Sequence, residues 1–168
     1  MFTRGLPPDA CCAIGGFAVV AHVGKAKRQI SPDLDLLVND KYLAKITQLV
    51  PVKDRLLGLS VISSPINIDI LTTHDQITRH ALRCSEIINL GATLVRVVTK
   101  GYLTAMKFLI GRDKDLSDLA LMIGAIDLHV AEVLPFKVRN ILMHYAPNAV
   151  EDFDSWINAY NVGVRFCL

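Results

Sequence analysis

The sequence is short of charge, of aromatic rings and of paired cysteines. Charged residues make up 20% of 168 positions and aromatics 7%, with a single Trp. Eighteen Lys and Arg stand against sixteen Asp and Glu, a formal charge of +2. That balance gives no argument for a nucleic-acid partner and none for an acidic tail, although an average can hide a local patch. Cys11, Cys12, Cys84 and Cys167 include no C-x-x-C spacing. Buried free thiols in a reducing compartment are expected. No apolar run reaches the ~18 to 20 uncharged residues of a spanning helix. Residues 10–23 are too few, and 116–138 is broken by Asp127, His129 and Glu132. No membrane partner is therefore expected. No stretch of signal-peptide type precedes Pro7 and Pro8, so the expected location is the cytoplasm. Repeats and low-complexity tracts are also missing.

What the chain has is apolar mass. Hydrophobic residues are 52% of it and the mean hydropathy is +0.38. A chain of this length is expected to form one domain with a dense core. Its hydrophobic period changes partway. Up to about Thr73 short apolar runs alternate with helix-like windows: strands at 11–14, 34–38, 57–63 and 66–71, and helices at 17–23 and 41–50. Residues 75–84 read as a short helix, and 86–98 as one or two strands around Gly91. From Tyr102 onward the period is helical, with further helices at 137–145 and 150–160 split by Pro147. The expectation is an α+β (α/β-like) fold. A mixed sheet fills about 10–100, with helices packed on it, and about 101–168 form a helical region.

The chemistry concentrates in Arg28-Gln-Ile-Ser31-Pro-Asp33-Leu-Asp35-Leu-Leu-Val38. Carboxylates at i and i+2 of a strand share a face with backbone positions ~6.6 Å apart, while Leu34 and Leu36 turn to the core. Two like charges at the mouth of an apolar strand call for a positive group between them, and a divalent ion is the economical one. Asp69, in the strictly alternating Ile66-Asn-Ile-Asp-Ile-Leu71, is placed to join them. The competing reading is a solvated strand face, harder to hold for an acid in so apolar a strand. Upstream, Ile14-Gly15-Gly16-Phe17 is a strand running into a glycine pair and a helix, a backbone suited to a polyphosphate.

Taken in order, Gly15-Gly16, His22-x-Gly24, Arg28, Ser31 and Asp33-x-Asp35 resemble the signature of the nucleotidyltransferase superfamily, with its DNA polymerase beta-like fold. Tyr102-Leu-Thr-Ala-Met-Lys107, Arg112, Lys114-Asp115 and Asp118 look like the downstream helical motif of its small prokaryotic branch, which includes abortive-infection-type toxins. The resemblance covers about residues 10–125. It implies a transferase moving a nucleoside monophosphate from an NTP such as ATP to an acceptor hydroxyl, with release of pyrophosphate. By the same resemblance Asp33, Asp35 and Asp69 would be catalytic and hold Mg²⁺ or Mn²⁺, with Asp69 also activating the acceptor. Gly15, Gly16, Arg28, Ser31, Lys107 and Arg112 would bind the nucleotide. Asp115 and Asp118 read as acids at the start of a helix. The acceptor stays open between RNA, protein and a small molecule. So does a second reading, a weakly catalytic or non-catalytic nucleotide-binding half of a toxin–antitoxin pair, with an antitoxin as partner. One departure motivates it: many members place serine after the first glycine, where this chain has Gly16.

Overall fold

The computed structural model describes residues 7, 9–29, 33–45, 54–56, 58–63, 66–124 and 133–165. The chain divides into two compact units, Met1–Thr99 and Lys100–Leu168.

The first unit is built on one seven-stranded sheet. Its strands are β1 (Cys11–Ala13), β2 (Asp33–Val38), β3 (Asp54–Leu56), β4 (Gly58–Ser63), β5 (Ile66–Thr72), β6 (Glu86–Asn89) and β7 (Leu94–Val97). Their order across the sheet is β3-β4-β5-β2-β1-β7-β6. The sheet is mixed as expected: β2 runs parallel to β5 and β1 parallel to β7, while the remaining neighbours are antiparallel. The sequence pattern gave no separate β3, which is three residues long.

Alternation along β2 and β5 separates two faces. Val38, Ile68 and Ile70 pack with Cys11, Leu34, Leu36, Tyr42 and Leu43 into an apolar layer. Asp33, Asp35, Asn67 and Asp69 alternate with these residues and so lie on the opposite face. Leu37, on that same face, is fully buried. The face therefore passes from acidic to apolar within one strand.

Helix α1 (Gly15–Val23) follows β1 directly and buries Ala18, Val19 and Val20. Its His22 donates from Nε2 to the Val98 carbonyl at 2.8 Å, because a carbonyl can only accept. Helix α2 (Gln76–Arg83) starts where Asp75 and Thr78 form a capping box, the Asp75 carboxylate accepting from the Thr78 amide at 2.8 Å. The expected helix over 41–50 begins as a single 3₁₀ turn, Asp40–Tyr42, and its positions 46–50 lie outside the described residues.

The second unit is helical: α3 (Lys100–Ile110), α4 (Asp113–Gly124), α5 (Val133–Tyr145) and α6 (Val150–Arg165). Gly111, at φ +67°, ends α3 in the left-handed region and lets the chain turn into α4. Ala105, Ile123, Leu134, Val138, Leu142 and Phe153 form the core, and Phe108 meets Phe153 edge to face at 5.1 Å. Helix α5 begins four residues earlier than the expected 137, because Pro135 falls in its first turn, where proline is tolerated. Among the described residues no helix is long and apolar enough to cross a membrane.

Candidate active site

Parallel pairing of β2 with β5 sets Asp33 opposite Asn67 and Asp35 opposite Asp69. Register partners on neighbouring parallel strands point to one face, at the ~4.8 Å strand spacing. Asp35 and Asp69, far apart in sequence, thus become neighbours on the acidic face, and both are half-buried. Asp33 is engaged by Asn67, whose Nδ2 donates to its Oδ1 at 3.0 Å. The sequence reading did not single out Asn67. Its position two residues before Asp69, matching Asp33 two before Asp35, is the signal that would have found it.

The glycine pair sits beside these acids for a structural reason. Ile14 donates its amide to the Asp35 carbonyl at 2.9 Å, carrying the β1–β2 pairing up to the turn. Gly15 then adopts φ +61°, and a Cβ there would stand 2.6 Å from the Asp35 Cγ. Both the backbone angle and the space demand glycine. A Cβ on Gly16 would meet the Arg28 guanidinium at 2.9 Å from Nη1 and 3.0 Å from Nη2. Arg28 also donates from Nη1 to the carbonyls of Gly16 and Gln29, each at 3.3 Å. Ser31 lies outside the described residues.

Lys107 and Arg112 belong to the second unit. Lys107 on α3 is buried, and its Nζ lies 2.8 Å from both Asp115 Oδ1 and Asp118 Oδ2 on α4. Arg112 donates from Nε to the other Asp115 oxygen at 2.6 Å. Burial pushes the Asp115 carboxyl up, but hydrogen bonds and charge from Arg112 and Lys107 outweigh it and hold the group below the ordinary Asp value. The helix start read from the sequence is there, with Asp115 in the first turn of α4, but its carboxylate and that of Asp118 are turned onto Lys107.

Carboxylates are hard oxygen donors of the kind Mg²⁺ and Mn²⁺ take, so the acidic face fits such an ion in donor chemistry. Among the described residues no three His, Cys, Asp or Glu side chains converge closely enough to hold a metal ion. A separate crevice of about 510 Å³ in the first unit is lined by Cys11, Ala13, Phe17, Leu34, Leu36 and Leu94 among others. Leu34 and Leu36 alternate with the acids, which puts this apolar wall on the far face of β2.

Comparison of the fold with solved structures places it in a class. The crystal structure of ANT(2'')-Ia in complex with adenylyl-2''-tobramycin matches with a TM-score of 0.58 at 16% identity, over 78% of this chain and 87% of that chain. The solution structure of the antibiotic-resistance factor ANT(2'')-Ia matches with a TM-score of 0.54 at 15% identity, over 94% of this chain and 88% of that one. An antigenic nucleotidyltransferase-like protein from Paracoccidioides brasiliensis matches less well, with a TM-score of 0.48 at 13% identity over 86% and 84% of the two chains. The chain has a nucleotidyltransferase fold of the α+β class. No protein-family model matches the sequence, and no curated protein matches it. The structural likeness does not bear on the abortive-infection branch.

Proposed function

We propose that this chain is a nucleotidyltransferase, moving a nucleoside monophosphate from an NTP to an acceptor hydroxyl and releasing pyrophosphate. The observation that carries the reading is the placement of Asp35 and Asp69 side by side on parallel strands, with Asp35 against the Gly15 turn. Asp35 and Asp69, register partners on one face, would hold Mg²⁺ or Mn²⁺ together with phosphate oxygens, with Asp33 two residues along the same face. A bound ion would neutralise charge on the reacting phosphate oxygens. Asp69 takes the proton from the acceptor O–H. The acceptor oxygen bonds to the α-phosphorus as the bond from that phosphorus to the bridging oxygen breaks, and pyrophosphate leaves with that oxygen. The Gly15–Gly16 backbone would approach the polyphosphate at the turn beside Asp35, where glycine carries no side chain of its own. Positioning and charge neutralisation supply most of the rate in such transfers.

A small molecule is the favoured acceptor. The matching ANT(2'')-Ia structure holds adenylyl-2''-tobramycin, a nucleotidyl group joined to a small molecule. An antitoxin partner has no support of this kind.

The test is incubation with each α-labelled NTP and Mg²⁺ or Mn²⁺, offering total RNA, the protein itself and hydroxyl-bearing small molecules. Label is expected on a small molecule with the wild type and on nothing with Asp69→Asn. Full transfer by Asp69→Asn overturns the reading. NTP binding without transfer favours the non-catalytic alternative, for which the missing hydroxyl at Gly16 is the argument.

A further inference from the structure

The acidic end of the β2–β5 face is not made of acids alone. Parallel register sets Asp33 opposite Asn67 and Asp35 opposite Asp69. The four side chains therefore stand at the corners of a patch of ~4.8 Å between strands by ~6.6 Å along them. Like charges this close repel, and a fourth carboxylate at position 67 would add to the repulsion. Asn67 carries instead a neutral amide that can donate. Its Nδ2 does so, to Asp33 Oδ1 at 3.0 Å. Asn67 is exposed and Asp33 half-buried. A hydrogen bond in water adds little to the stability of the sheet, and what this one sets is the direction of the Asp33 carboxylate.

Resting on the metal-dependent transfer proposed above, we infer that Asn67 is a positioning residue, whose amide holds the Asp33 carboxylate in the orientation in which it meets a divalent ion at Asp35 and Asp69. A carboxylate left to rotate has to be ordered each time an ion binds, and one already held by a donor does not. An amide suits the task better than a lysine or an arginine would. It fixes the carboxylate without neutralising it, so Asp33 keeps its charge for the ion. Asn67 acts through Asp33 and through no other residue of the site.

Titration with Mn²⁺ alone, with the unbound ion counted by its paramagnetic resonance, tests this. The proteins are wild type, Asn67→Ala, Asp33→Ala and the double variant, each with its melting temperature recorded. Asn67→Ala is expected to weaken Mn²⁺ binding ~10-fold, the size of a lost hydrogen bond behind a metal-facing side chain. Its melting temperature should stay close to that of the wild type, a split that a general loss of structure would not produce. Asp33→Ala still binds through Asp35 and Asp69, more weakly than the wild type. The double variant should bind no more weakly than Asp33→Ala, because Asn67 has nothing left to position. Three results would overturn the inference and leave the proposed function standing: wild-type or tighter Mn²⁺ binding by Asn67→Ala, a loss that follows a fall in melting temperature, or the same loss repeated in the Asp33→Ala background. A wild type that binds no Mn²⁺ overturns it together with the metal-dependent reading.

Discussion

The Asp35 carboxylate rests where a side chain on Gly15 would begin. A Cβ at that position would lie 2.6 Å from the Asp35 Cγ and 3.0 Å from its Cβ, and Gly15 already holds φ +61°. The turn and the acid are one piece of construction, since the Ile14 amide and the Asp35 carbonyl bond to each other. Gly15→Ala is expected to push Asp35 out of line with Asp69. Transfer should drop by ~100-fold or more, and stability by about 1 to 3 kcal/mol from the strained φ and the clash. Activity and urea midpoint measured on the same preparation check this. An Ala variant with wild-type activity would show that the acid does not need its seat.

Lys107 is expected to serve stability first. Its Nζ sits between Asp115 and Asp118 at 2.8 Å each, with 7% of its side chain exposed. Replacing it by Met leaves two carboxylates buried with only Arg112 as a described cation on Asp115. Loss of one partner from a buried ion cluster costs about 3 to 5 kcal/mol. Chemical denaturation followed by far-ultraviolet ellipticity should show that loss for Lys107→Met. Arg139→Met, which breaks an ion pair to Asp154 that is nearly half exposed, should cost less than about 1 kcal/mol.

The Asp115 carboxyl gives a pH signature. Its folded value lies below the ordinary one of 3.8, so its contribution to stability is fully present above that value. It is lost as pH falls through the lower, folded value. Wild type should exceed Asp115→Asn in stability by a constant margin from pH 7 down to about 5. The margin should shrink below about pH 4. Melting temperatures of both proteins across that range decide it, and a margin that persists unchanged at pH 2 would contradict the pairing.

Thiol reactivity should separate Cys84 from the pair in β1. Burial, then the neighbouring Cys11, raises the Cys12 thiol to about 12 against smaller opposing effects of Arg96 and Ser85, and burial likewise raises Cys11. Cys84 is exposed. In a Cys167→Ser background, a disulfide reagent at pH 8 should modify one thiol quickly in the native protein and three after denaturation. Thiolate is the reacting form, so the two β1 cysteines react only on unfolding.

Much of this architecture was legible because it is local. The i, i+2 acids of β2, the alternation around Asp69 and the short helix over 75–84 each need only a few residues to be read. Which strand lies beside which is a choice made across long stretches of chain. No local pattern sets Asp35 rather than Asp33 opposite Asp69, or gives Asp33 to Asn67. The glycine pair was visible as a turn, but its reason depends on Asp35 and Arg28, which arrive later in sequence. Asp115 and Asp118 looked like helix-start residues because the turn at Gly111, which folds α4 back on α3, is what brings Lys107 to them.

Parallel pairing of β2 and β5 has one more consequence. Strands in that relation cannot be joined by a tight hairpin, and here β3 and β4 intervene before the chain returns. Setting Asp35 beside Asp69 therefore costs the entropy of closing the long connection between their strands. A chain in which β2 and β5 have not paired does not hold the two acids side by side.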